Sequence, residues 1–252
     1  MAATTVTMRV WRGAGTTGAF KEYQVPAQEG MVVLDVVHTL QATQAPDLAC
    51  RWNCKAGKCG SCSAEINGKP RLMCMTRMDT FKAGETITVA PIKTFPVIRD
   101  LATDVSFNYE KAKTIPAFRP GPKEADGTRR MMQEDVDRSQ EFRKCIECFL
   151  CQDVCHVIRD HDLKKNFAGP RFFIKIAGLE MHPLDTRDRT EFMREQAGVG
   201  LCNITKCCTE VCPEHIHITD NGIIPLKERM ADNCDPIVWV VRKLRGHKKA
   251  TP

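Results

Sequence analysis

Fourteen cysteines in 252 residues are the chemistry this chain advertises. Four of them fall within residues 145–155: Cys145, Cys148, Cys151 and Cys155 follow the spacing C-x2-C-x2-C-x3-C. Thiols this close are too crowded for a set of ordinary disulfides. Three on one tight loop suit a single inorganic cluster, and the fourth points elsewhere.

A second run repeats the spacing with one member replaced. Cys202-x2-Thr205-x2-Cys208-x3-Cys212 is followed by Pro213. In two-cluster ferredoxins such a run gives three ligands to one cluster and its fourth to the other. That rule groups Cys145, Cys148, Cys151 and Cys212 around a 4Fe–4S cluster. It leaves Cys155, Cys202 and Cys208 for the second site. A threonine hydroxyl is a poor soft-metal ligand beside a thiolate, so a 3Fe–4S cluster is expected there. Cys207 is an alternative donor if the backbone turns differently; Cys208 keeps the repeat in register. Paired C-x2-C spacings also serve zinc, but zinc needs four ligands per site and has no use for a crossed seven-thiol pattern.

Nearer the start, "CRWNCKAGKCGSC" and then Cys74 supply Cys54-x4-Cys59-x2-Cys62 with a distant fourth, the plant-type spacing for 2Fe–2S. Gly57 and Gly60 allow close wrapping of the backbone, and Lys55 and Lys58 favour an added electron. Eleven of the fourteen cysteines thus have ligand roles. Cys50 and Cys234 read as small buried or partly buried thiols. His156, His215 and His217 flank the cysteine runs as hydrogen-bond donors or surface residues. No phosphate-cradling loop or activated nucleophile is seen, so the chemistry is one-electron transfer.

The elements that must position these thiols divide into two styles. Residues 5–11 and 19–25 alternate as strands around the loop "RGAGTTG". "MVVLDVVHTLQAT" (31–43) has helical periodicity. Asn67-Gly68 marks a two-residue hairpin, and "ETITVAPI" is a further strand. "PAFRPGPKEADG" (116–127) reads as a connection. Beyond it "MMQEDVDRSQEFRK", "PRFFIKIAGLEMHP" and "PIVWVVRKLR" are helical. The class is α+β: a ferredoxin domain at 1–104, a linker at 105–129, and a helical domain at 130–252.

Bulk composition agrees. With 42% hydrophobic and 27% charged residues the chain buries a core and stays in water. It has no apolar run long enough to span a bilayer and no secretory layout at its start. That favours the cytoplasm, where thiols remain reduced. The net charge of +6 is concentrated near the end, in "VRKLRGHKK", which reads as a solvated tail or a contact with anionic lipid headgroups. With 6% aromatics and no basic stripe, nucleic acid is not a partner.

"RWNCKAGKCGSCSAEINGKPRLMC", "FPVIRDL", "CIECFLC" and C-x5-C-x3-CP stand in an order that resembles the iron–sulfur subunit of succinate dehydrogenase and fumarate reductase, respiratory complex II of bacterial type. The resemblance covers nearly the whole chain. It implies a β-grasp N-terminal domain and an α-helical ferredoxin domain. It implies an FAD-containing flavoprotein partner, one or more membrane-anchor subunits, and a place on the cytoplasmic face of the cell membrane. Electrons would pass from FAD through 2Fe–2S, 4Fe–4S and 3Fe–4S to quinone, within the tricarboxylic acid cycle and respiratory chain. Fumarate reductase would run the chain in reverse; a carrier for another flavin dehydrogenase is the remaining alternative. Two positions depart from the family. His156 stands where members commonly have proline, and Asn203 where many have histidine. Both positions usually lie beside quinone, and the change points to menaquinone.

Overall fold

The computed structural model describes residues 4–161 and 163–234, with isolated positions 236, 240, 241 and 244. The basic tail at Arg242, Lys243, Arg245, Lys248 and Lys249, most of "PIVWVVRKLR", and the Cys234 side chain lie outside the described residues. The chain forms two compact units. The first takes in 1–107, 146–154 and 211–213; the second takes in 108–145, 155–210 and 214–252.

The first unit is built on a five-stranded mixed sheet, ordered β2-β1-β5-β3-β4. Strands β1 (Thr4–Ala14) and β2 (Thr17–Ala27) pair antiparallel along their whole length, closing at Ala14↔Thr17. The turn is therefore two residues, shorter than the sequence pattern indicates. Gly15, with φ +55°, supplies the left-handed step such a turn needs. Helix α1 (Val33–Thr43) follows; Asp35 accepts from the Val32 N–H at 3.2 Å and so secures its first turn. Val33, Leu34, Val36, Val37 and Leu40 are buried, the stripe expected of a helix laid on a sheet. Strands β3 (Ser63–Ile66) and β4 (Lys69–Leu72) form the hairpin at Asn67-Gly68, whose φ values of 48° and 72° mark a type I′ turn. Strand β5 (Ile87–Ala90) runs parallel to β1 and antiparallel to β3. This is the β-grasp arrangement. Two short strands, β6 (Val97–Arg99) and β7 (Ala102–Thr103), pair separately. Met8, Val10, Val25, Leu34, Val37, Ile66, Ile87 and Val89 make the core.

Cys148, Phe149 and Leu150 belong to this same core. Phe149 meets Phe95 edge to face at 6.0 Å, and Thr94 donates its N–H to Asp153 at 3.1 Å.

The second unit is helical. Helix α2 (Ser106–Thr114) begins in the segment 105–129, and α3 (Gln133–Gln140) follows it. Short helix α4 (Leu150–Asp153, in the first unit) lies within the first cysteine run and carries Cys151, and α5 (His156–Arg159) follows the run. Helix α6 (Pro170–Glu180), with proline at its start, buries Phe172, Phe173, Ile174 and Ile176. Helix α7 (Cys207–Glu210) and α8 (Ile224–Cys234) complete it. Arg189 is fully buried and anchors the segment before α3. It donates to the Pro116 carbonyl at 2.8 Å, the Ala117 carbonyl at 3.0 Å, Glu180 at 3.0 Å and Asp185 at 2.7 Å. All of its donors find acceptors, which is the condition for burying a guanidinium. Among the described residues no helix is long and apolar enough to cross a membrane.

Candidate iron–sulfur sites

In the first unit, Cys54, Cys59, Cys62 and Cys74 are carried by the loop before β3 and the turn after β4. Cys62 and Cys74 are buried, Cys54 and Cys59 partly so. The Met73 N–H donates to the Cys62 carbonyl at 3.0 Å, and the Leu34 N–H to the Met73 carbonyl at 3.1 Å. Helix and hairpin thus hold the two buried thiols on one frame. The Cys54 sulfur accepts the N–H groups of Ala56 at 3.4 Å and Lys58 at 3.3 Å. Such bonds stabilise negative charge on a cluster attached to that sulfur.

Gly57 and Gly60 both have positive φ, 67° and 68°. A Cβ on Gly57 would meet the Met75 sulfur at 2.8 Å, and one on Gly60 the Cys148 Cα at 2.6 Å. At Gly60 the absence of a side chain is therefore a packing requirement, whereas at Gly57 the exposed Met75 side chain can move aside. Burial opposes ionisation of Cys59, but hydrogen bonds from Ser61 and Cys54 bring its thiol down to about 6. Burial pushes Cys62 up to about 12. A thiol of this kind releases its proton to water only when a metal takes its place on sulfur. Soft donors, N–H groups aimed at sulfur and glycine-lined backbone fit a 2Fe–2S cluster.

The repeat between the two cysteine runs extends to the backbone. In the first run Glu147 and Phe149 have φ of 57° and 62°; in the second, at the same places, Ile204 and Lys206 have 61° and 62°. Neither pair contains the glycine that usually occupies this region. Helix α4 starts one residue before Cys151, and α7 one residue before Cys208. Thr205 thus occupies the position of Cys148 in the repeat.

Of the first-run thiols and their distant partner, Cys148, Cys151 and Cys212 lie in the first unit and Cys145 in the second. Cys148 and Cys151 are buried. The Ser63 hydroxyl stands 2.8 Å from the Cys148 carbonyl and 2.9 Å from that of Gly60, so it ties one cysteine loop to the other. Thr94 backs up Asp153 and Gln152. Sequence reasoning did not single out Ser63 or Thr94. The adjacency of Ser63 to Cys62 was the available signal.

The second unit contains Cys155, Cys202 and Cys208, and Cys208 lies within electrostatic reach of both of the others. Burial pushes Cys155 up to about 12 against N–H donation from Ile158 and Val157. Burial likewise takes Cys208 to about 11, against a hydrogen bond with Thr219 at 3.5 Å. Lys227 donates to the Cys202 carbonyl, fixing that end of the loop. Neither Thr219 nor Lys227 was legible as a site residue. His156 and Asn203 meet at 2.6 Å between ring nitrogen and amide. His217 is bonded to Glu141 at 2.8 Å. Cys50 is pushed up to about 12 by burial. Among the described residues, no three His, Cys, Asp or Glu side chains close on a single point as a lone metal ion requires.

Two family models match. The model of a 2Fe-2S iron-sulfur cluster binding domain matches residues 7–110, and that of a 4Fe-4S dicluster domain matches residues 141–216. The fumarate reductase iron-sulfur subunit of Mycobacterium tuberculosis is 32% identical over 78% of this chain and 80% of its own length. The succinate dehydrogenase iron-sulfur subunit of Bacillus subtilis is 27% identical over 82% and 84%. A chain in the structure of the Mycobacterium smegmatis Sdh1 complex in the apo form is 66% identical, with a TM-score of 0.90, covering 94% of this chain and all of that one. The chain spans 47% and 40% of two longer relatives, from Methanococcus maripaludis and Methanothermobacter marburgensis. With a ferredoxin sheet, a dicluster domain and this degree of likeness, the chain belongs to the family of iron–sulfur subunits of succinate dehydrogenases and fumarate reductases.

Proposed function

We propose that the chain is the electron-transfer subunit of a succinate:quinone oxidoreductase, working with an FAD-containing flavoprotein and a membrane anchor at the cytoplasmic face of the membrane. The ligand sets are Cys54, Cys59, Cys62 and Cys74 for 2Fe–2S; Cys145, Cys148, Cys151 and Cys212 for 4Fe–4S; and Cys155, Cys202 and Cys208 for 3Fe–4S. When bound, the three clusters supply one-electron chemistry, between flavin at one end and quinone at the other. The chain itself holds the thiolates, directs N–H groups at sulfur and excludes water by burying Cys62, Cys74, Cys148, Cys151, Cys155 and Cys208. Ligands and second-layer hydrogen bonds of this kind set cluster potential.

The observation that carries this reading is the repeat of backbone conformation with Thr205 standing in for Cys148. It supports one complete thiol set and one that lacks a member. The His156–Asn203 pair sits beside Cys155 and Cys202 in sequence, and we assign it to the quinone side, with menaquinone as the quinone. Fumarate reduction is the same path reversed.

Stepwise redox titration of the purified complex, followed by EPR at low temperature, tests the assignment. Three clusters should titrate, and one should give its signal in the oxidised state, as 3Fe–4S does. A complex with two cubane clusters and no oxidised signal would refute the ligand sets. Steady-state assays with menaquinone and ubiquinone analogues test the quinone assignment; a ubiquinone preference would overturn it.

A further inference from the structure

Cys207 has no role in the ligand sets above, yet it is not placed like a bystander. Its counterpart in the first run is Leu150, the first residue of α4, which is 1% exposed and packed into the core. Cys207, the first residue of α7, is only partly buried. Its sulfur lies 3.3 Å from the Thr205 hydroxyl, which stands where the repeat elsewhere has a thiol. The left-handed residues Ile204 and Lys206 bracket Thr205, and an ion pair from Lys206 to Asp220 at 2.8 Å holds the reversal. Cys207 also lies within electrostatic reach of both Cys155 and Cys208. Four thiols therefore gather in this part of the second unit, and the fourth sits beside the one hydroxyl that breaks the repeat.

We propose that Cys207 is a reserve ligand: in the presence of ferrous iron its thiolate binds a fourth iron at the corner left open beside Thr205. The three-iron site then becomes a four-iron one. The step balances as follows. A one-electron reductant brings the three-iron core to zero charge. One Fe²⁺ enters, giving a four-iron core of charge 2+. The Cys207 thiol releases its proton to water, and its sulfur forms the bond to the new iron. Thiolate is the donor that iron in such a cage prefers, and the neighbouring hydroxyl competes poorly. The partial exposure of Cys207 leaves a route for the metal. The inference rests on the three-iron assignment made above.

The test uses the intact complex with wild-type chain, with Cys207→Ala and with Cys207→Ser. Each is reduced with dithionite under anaerobic conditions, given ferrous ammonium sulfate, freed of excess metal and reoxidised. Total iron and the oxidised three-iron EPR signal are then measured. Wild type should gain about one iron per chain and lose most of the three-iron signal, while Cys207→Ala keeps both unchanged. Uptake in both chains, or in neither, overturns it while leaving the three-iron site intact. Absence of the signal from all three complexes, treated or not, removes the underlying assignment and the proposal with it. Should Cys207→Ala fail to assemble, Cys207→Ser gives the same comparison, with iron uptake reduced at least several-fold.

Discussion

Gly60 joins the two cysteine loops of the first unit, and replacing it with alanine measures how tightly. Its φ of 68° costs an L side chain about 1 kcal/mol. The new Cβ would stand 2.6 Å from the Cys148 Cα and 2.8 Å from its nitrogen. Carbon atoms rest at about 3.5–4.0 Å, so the Cys148 backbone must retreat by about 1 Å. Overpacking of that kind adds about 2 kcal/mol, for a total of about 3. Gly68 is the matched control. Its φ is 72°, but nothing lies within 4 Å of the added Cβ, so Gly68→Ala carries the strain alone. Differential scanning calorimetry of the complexes should show this chain's transition lowered by about 6–12 °C for Gly60→Ala and by about 2–4 °C for Gly68→Ala. Iron analysis should show the loss at the 4Fe–4S site, whose Cys148 is displaced. Equal shifts for the two variants, with full iron in both, would refute the close approach.

Three further outcomes follow from single contacts. Arg189→Ala removes the ion pair of buried Asp185 with Arg189 and leaves buried Glu180 with Arg229 at 3.6 Å in place of two cations; it should destabilise the chain by about 3–5 kcal/mol, seen as lost expression or a large fall in melting temperature. Glu141 is opposed by burial but held below the usual carboxylate range by Asn221 and His217. Its stabilisation is present above the unfolded carboxylate pKa of about 4.3 and is lost as pH falls through the lower folded value, so Glu141→Gln should flatten the acid limb of a stability–pH curve and leave the alkaline limb alone. In cluster-free protein, iodoacetamide at pH 7 should label Cys59 well before Cys50, since the first thiol is at about 6 and the second at about 12; mass spectrometry of timed samples checks the order.

The sequence disclosed features that depend on local chemistry. Asn67-Gly68 fixes its turn because few other pairs accept two positive φ values, and α1 is marked by its apolar stripe. Cysteine spacing points to the proposed ligand sets because ligand type and separation are dictated by the cluster. Other features escaped for physical reasons. Glu147, Phe149, Ile204 and Lys206 have no leaning toward left-handed backbone; the wrapping of each loop imposes it. Arg189 lies in "DTRDRTE", which reads as a solvated charge run, yet tertiary packing buries it completely. The β1–β2 turn was overestimated because Gly13 and Gly18 look like loop residues, although they pair directly across the strands. There Trp11 covers Gly18, leaving no room for a side chain.

Residues 146–154 and 211–213 complete a unit that begins at the amino terminus. Phe149 and Leu150 fill space that residues 1–107 alone would leave to water. Translation delivers the chain at about 5–20 residues per second, amino terminus first. The ferredoxin sheet therefore waits on the ribosome for several seconds with an apolar seat uncovered. Chaperones or cluster-delivery factors acting on the nascent polypeptide would find their opening in that interval. A truncated gene stopping at residue 107 would make it permanent, and its product should aggregate unless a peptide spanning 146–154 is supplied.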